Sequence, residues 1–154
     1  MAKRSVNLFH PLLHAGHLVE ARLRDRLNEM GLRPRQARVL SAISHIGEAH
    51  QKSLAIEFDI TPASISSMCD RLVAAGFITR QVDPNETRAF LIRLTSEGER
   101  KVQDVRVAWN DIDEIIVNAI GKKAADTLAG LSVDLRDQLG GALPEADVNT
   151  RHDG

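Results

Sequence analysis

The chain lacks the means for several common roles. It holds a single cysteine, Cys69, which excludes an internal disulfide framework and suits a reducing cytoplasm. No apolar run approaches the ~20 residues of a membrane-spanning helix, and the opening MAKRSVNLFH carries no continuous apolar segment of a signal peptide. A cytoplasmic protein without a membrane partner is expected. Aromatic residues are scarce, four Phe and one Trp with no Tyr, so a core must come from Leu, Ile, Val and Ala, which favours helices packed on helices. Positive charge is not in excess either: 20 Lys and Arg against 21 Asp and Glu give a net charge of −1. From Arg33 to Arg100, nine basic residues (Arg33, Arg35, Arg38, Lys52, Arg71, Arg80, Arg88, Arg93, Arg100) face eight acidic ones (Glu48, Glu57, Asp59, Asp70, Asp83, Glu86, Glu97, Glu99). Any affinity for nucleic acid must come from where the arginines stand, because bulk charge does not supply it. Glycine-rich phosphate loops, metalloprotease motifs and nucleophile elbows are absent. The chain does not read as an enzyme, and no cofactor is expected.

What is present suits one globular domain: 154 residues, 43% hydrophobic and 27% charged. Thr61 to Thr95, TPASISSMCDRLVAAGFITRQVDPNETRAFLIRLT, is the most structured stretch. Thr61 can cap a helix and Pro62 suits its first position, where no N–H is needed. Ile65, Cys69 and Leu72, with Met68 and Val73, form an apolar stripe at helical spacing. The other face is small or polar: Ala63, Ser66, Ser67, Asp70, Ala74. Gly76 stops the helix. Two extended runs follow, Phe77–Val82 and Ala89–Leu94, joined by the polar loop Asp83–Thr87. Helix, stop, strand, loop, strand is the outline of a winged helix-turn-helix.

The rest of the chain flanks this unit. Residues 1–10 read as a loose arm. A first helix is predicted from Pro11 to Met30, with Leu12, Leu13, Ala15, Leu18, Val19, Leu23, Leu27 and Met30 spread over a wide apolar arc, which gives it two surfaces to bury. A second helix runs Arg35–Ile46 and a short third Ser53–Phe58, with Glu48–Lys52 as connector and Asp59-Ile60 as the turn into the reading helix. Thr95 or Ser96 caps a long helix carrying Val102, Val105, Ala108, Trp109, Ile112, Ile115, Ile116, Ala119 and Ile120. Gly121 breaks it, a last helix spans Lys123–Leu139, and residues 140–154 form a polar tail. The expected fold is mainly α with a small β-hairpin: a winged helix-turn-helix over 32–95, between long helices at 11–31 and 96–139. Those helices lack enough of their own domain to bury against, so pairing with a second copy is the simplest solution.

With these residues in view the sequence resembles the MarR family of bacterial transcriptional regulators. Gly31–Leu40 (GLRPRQARVL) is similar to the family's GLTxxQxxVL, and Leu54-Ala55 matches its LA before the turn. Asp70–Arg80 (DRLVAAGFITR) is similar to DRLxxxGLIxR. Asp83–Arg88 followed by Leu94-Thr95-Ser96-Glu97-Gly98 is similar to DPxDRR…LTxxG. Together, in order and at matching spacing, these cover about Pro11 to Leu139. Arg33 stands where the pattern has Thr, and Glu86-Thr87-Arg88 where it has Asp-Arg-Arg, so the wing has one basic residue fewer.

The resemblance implies a homodimeric, sequence-specific DNA-binding regulator, a ligand-responsive repressor that takes double-stranded DNA and a small organic effector as partners. The reading helix would lie in the major groove with Pro62, Ala63, Ser64, Ser66, Ser67 and Arg71 as contacts. Arg71 would meet a phosphate or a guanine edge, or else pair with a nearby carboxylate. Arg88 at the wing tip would enter the minor groove, held by Glu86, or else stand in solvent. An effector would be lined by His10, His14, His17, His45 and Trp109. His10, His14 and His17 recur at i, i+4, i+7, so a metal-sensing regulator is an alternative, as are plain surface roles. Cys69 reads as a buried structural thiol rather than an oxidation sensor. A winged-helix module for protein association, without a DNA target, is the remaining alternative.

Overall fold

The computed structural model describes residues 7–141. In chain order the elements are α1 (Phe9–Asn28), α2 (Pro34–Ile46), β1 (Ala49–His50), α3 (Gln51–Glu57), α4 (Pro62–Ala74), β2 (Ile78–Val82), β3 (Phe90–Leu94), α5 (Ser96–Ile120) and α6 (Lys122–Gln138). The strands form one antiparallel sheet in the order β1-β3-β2. The long pair has Ile78 opposite Leu94, Arg80 opposite Ile92 and Val82 opposite Phe90. The fold is the expected helical one with a winged helix-turn-helix at its centre. The expected arm falls largely outside the described residues, as does the expected tail beyond Gly141.

Local chemistry explains most boundaries, and three departures have physical reasons. Helix α1 begins at Phe9 rather than Pro11, because the His10 N–H donates to the Asn7 carbonyl (3.3 Å) and starts the turn early. Pro11 then sits inside the first turn, where its missing N–H is harmless. Helix α3 begins at Gln51 rather than Ser53. The connector ahead of it is no loop: Ala49 and His50 pair with Ile92 and Leu91 as a third strand. Two residues carry no detectable alternation, and the strand exists only because β3 offers it a free edge.

The core lies where α1, α2, α4, α5 and the sheet meet, around Leu27, Leu40, Ile43, Leu54, Ile65, Leu72, Ile92, Val102 and Val105. Helix α5 joins the winged unit to the flanks. Its N-cap Thr95 accepts from the Gly98 N–H (3.0 Å) and donates its hydroxyl to the Gly76 carbonyl (2.6 Å). The Thr95 N–H also donates to the Phe77 carbonyl (3.0 Å). Gly98 faces that strand so closely that a Cβ there would overlap the Phe77 carbonyl oxygen and lie 3.1 Å from Leu94 Cδ2. Away from the core, α1 and α6 carry large apolar side chains into solvent: Leu12, Leu13, Leu18, Leu128, Leu131 and Leu135 are all exposed.

Candidate nucleic-acid interface

Helix α4 is built to stand out from the body on one side. Thr61 is its N-cap in extended geometry, and its Oγ1 accepts from the Ser64 N–H (3.1 Å). Pro62 takes the first position. Entry into α4 is set by Asp59, whose φ of 49° is left-handed, a conformation that a short polar side chain tolerates. Its N–H donates to the Ile56 carbonyl, and the Ile60 N–H to the Ala55 carbonyl. Ile65, Cys69 and Leu72 are fully buried and Met68 packs against the core. Val73, counted with that stripe in the sequence, is instead exposed, because it lies beyond the arc that the core covers. Burial pushes the Cys69 thiol up to about 11, so the group stays protonated and inert.

The outward face of α4 presents Pro62, Ala63, Ser64, Ser67 and Arg71 as exposed side chains, with Ser66 partly covered. The Ser64 hydroxyl oxygen accepts from Thr61 (2.9 Å) and so belongs to the cap as well. Arg71 makes no ion pair with a described residue, and the carboxylate beside it is engaged elsewhere. Asp70 takes Arg80 of β2 at 2.6 Å, and the same guanidinium lies over the Phe90 ring at 4.4 Å. That link ties α4 to the sheet and leaves Arg71 unpaired at its outer edge.

The wing is a tight loop. The Asp83 N–H donates to the Ala89 carbonyl (2.9 Å), the Ala89 N–H to the Glu86 carbonyl (2.8 Å), and the Glu86 N–H to the Asp83 carbonyl (3.2 Å). Asp83 is buried. One of its carboxylate oxygens accepts from the Asn85 N–H (2.8 Å), and the other lies 3.7 Å from His50 Nε2. Arg88 therefore stands exposed at the tip. Glu86 does not hold it: no ion pair joins their side chains, and Glu86 shapes the loop through its backbone instead. Two flexible charged side chains in open water gain little from pairing.

Two hollows flank α4. A groove of about 810 Å³ runs between α3, α4 and the wing, lined by Lys52, Ile56, Pro62, Ile65, Glu86 and Arg88 among others. On the other flank a trough of about 440 Å³ lies between α4 and the start of α2. Arg33, Arg35, Gln36, Ala63, Ser64, Ser67, Met68 and Arg71 line it. Arg33 and Arg35 were not among the contacts expected from the sequence. Only their position beside Arg71 in space reveals them.

The histidines behave differently. His10, His14 and His17 share α1 and are exposed, His45 is exposed in the last turn of α2, and Trp109 packs against the core from α5. None of these five lines either hollow. Among the described residues no group of three or more His, Cys, Asp or Glu is placed to hold a metal ion, which counts against the metal-sensing alternative.

Comparison with known proteins agrees with this geometry. Residues 32–90 match the model described as the MarR family, nearly the span of the winged unit. The chain is 24% identical over 124 residues to the HTH-type transcriptional regulator FarR of Neisseria gonorrhoeae, covering 80% of this chain and 85% of that protein. It is 24% identical over 87 residues to the HTH-type transcriptional repressor MdtR of Bacillus subtilis, 56% of each chain. Among solved structures, wild-type MarR from E. coli in its apo form superposes with a TM-score of 0.74 at 19% identity, covering 86% of this chain and 98% of that one.

Proposed function

We propose that the chain is a DNA-binding transcriptional regulator of the MarR family, working as a homodimeric, sequence-specific repressor that a small organic ligand releases from DNA. The observation that carries this reading is the outward face of α4, capped and exposed, with an unpaired Arg71 at its edge and an unpaired Arg88 on the wing beyond. A helix of that size fits the major groove, and an exposed arginine on a hairpin fits the adjoining minor groove. The repressor role is supported by a relative named as a repressor.

Dimerisation is supported by the apolar side chains that α1 and α6 leave in solvent. A two-fold pair through those helices would set two reading helices about 34 Å apart, one turn of duplex. Release follows if a ligand favours a different separation of the two winged units. His45 lies near the end of α2, Trp109 on α5, which joins the winged unit to the flanks, and His10, His14 and His17 lie on α1. The effector is assigned to that region, completed by the second copy. No catalytic role is proposed, and the cytoplasm is the proposed location; no described helix is long and apolar enough to cross a membrane.

The test is selection of random-sequence duplex DNA on the purified protein, followed by footprinting and titration at several salt concentrations. A recovered palindrome, protected on two successive major-groove faces and bound with a steep salt dependence, is expected. Recovery of no preferred sequence, with weak binding throughout, would favour the protein-association alternative.

A further inference from the structure

We propose that Arg33 and Arg35 on α2 join Arg71 of α4 to form a clamp for the DNA sugar-phosphate backbone, on the flank of the reading helix opposite the wing. This rests on the DNA-binding reading above and adds to it a second anchoring surface.

Three observations point to a phosphate chain. First, the three arginines line one trough with Gln36, Ser64 and Ser67. Arg33, Gln36 and Arg71 meet again in the adjoining hollow of about 510 Å³, with Asn28. No carboxylate lines either hollow. Second, none of the three arginines makes an ion pair with a described residue, whereas other arginines of this chain are matched to carboxylates: Arg26 to Asp111, Arg80 to Asp70, Arg93 to Glu48, Arg100 to Glu97 and Arg136 to Asp137. In a chain of net charge −1, three unpaired guanidiniums around one carboxylate-free trough are a local concentration of positive charge that an external anion would relieve. Third, the placement is rigid at its base. Arg33 is the extended N-cap of α2, its N–H donates to Gln36 Oε1 (2.8 Å), and Pro34 follows at the first helical position. Both arginines therefore leave a fixed backbone.

Position selects phosphate over base. A helix seated in the major groove is walled on both sides by the phosphate chains, so a side chain on a neighbouring helix at its edge meets phosphate before it meets a base. Guanidinium donates two parallel hydrogen bonds to phosphate oxygens, which a lysine at the same place does not reproduce. The opposite flank is chemically different. There the groove mixes Lys52 and Arg88 with Asp59 and Glu86. The wing would read groove shape at its tip, and the α2 flank would supply sequence-independent grip.

The experiment compares wild type with the double variant Arg33→Gln/Arg35→Gln and with Arg33→Lys/Arg35→Lys. Binding is followed by fluorescence anisotropy on two 30-base-pair duplexes, one recovered by selection on the wild type and one of random sequence, from 50 to 300 mM salt. The glutamine variant keeps both backbones, and its thermal midpoint serves as the check on folding. The expected result is a loss of at least about tenfold at 150 mM by the same factor on both duplexes, with the slope of log K against log salt shallower by about 3 to 4, two phosphates per copy in a dimer. The lysine variant should recover most of the slope and part of the affinity. An unchanged slope, or a loss confined to the selected duplex, overturns the clamp while the wild-type binding still upholds the DNA-binding reading. Wild type that binds neither duplex overturns that reading, and the clamp with it. If the glutamine variant melts early, Arg35→Gln alone is measured, with half the change in slope expected.

Discussion

The winged unit and the helices that flank it solve opposite problems. In the winged unit most apolar side chains of α4 go inward, with Ile65, Cys69 and Leu72 fully buried and Val73 left outside, while Arg33, Arg35, Arg71 and Arg88 face solvent without an ion pair to a described residue. In the flanking helices, charges are matched along the surface, Arg26 with Glu29 and Asp111 and Lys122 with Asp126. There it is leucines that stand in solvent, Leu12 at 47% and Leu131 at 61% exposure. A surface that leaves cations uncommitted suits a polyanion. A surface that leaves leucines uncommitted suits another apolar surface. The same chain thus carries one face that suits nucleic acid and another that suits an apolar protein surface, and α5 spans both.

The sharpest way to break this division is to charge the leucine face. Leu131→Glu/Leu135→Glu should turn the proposed dimer into a monomer on size-exclusion chromatography while the winged unit stays folded. Affinity for the selected duplex should fall by about 10²–10⁴, because two linked heads become one. A variant that elutes unchanged would move the dimer interface elsewhere. On the other face, Arg88→Ala should weaken binding to that duplex by about 10–100-fold, with the dimer and its melting temperature intact; unchanged affinity in a gel-shift titration would remove the wing from the interface. The joint between the two regions is tested by Gly98→Ala. The added Cβ overlaps the Phe77 carbonyl, backbone that cannot swing aside, so about 1–3 kcal/mol of stability should be lost in chemical denaturation. The smallest effect is expected inside the winged unit. Cys69, buried and raised to about 11, should resist alkylation at pH 8 in the native protein and react only on unfolding. The raised value means that the folded state holds the thiol proton more tightly. Whatever stability this contributes is present below pH 9 and lost as pH rises through about 11. Rapid native labelling would show that the core under α4 opens.

Much of the winged unit was legible because its signals are local. Thr61-Pro62 starts α4, Gly76 ends it at a φ of 79°, and Thr95 caps α5. Each depends only on neighbours a few residues away. The site was legible in part for the same reason. The faces of α4 follow from helical spacing, but the Asp70–Arg80 link that leaves Arg71 unpaired joins two elements, and β1 requires the edge of β3, more than forty residues downstream in sequence. The expected Glu86–Arg88 pair followed spacing alone and did not form, since the loop is closed by its backbone.

The sequence by itself determined where α4 and α5 begin, which face of α4 is apolar, and that the flanking helices carry more leucine than one domain can cover. These are consequences of short-range hydrogen bonding and periodicity. Only the tertiary structure decided which part of the wide apolar arc on α1 turns inward, with Leu27 buried and Leu12, Leu13 and Leu18 left outside. It alone brought Arg33 and Arg35 beside Arg71. Those residues are more than thirty positions apart, and no local rule relates them. The folding of the winged unit does, by setting the start of α2 across a trough from α4, and it gathers three charges of a nearly neutral chain into one concentrated patch.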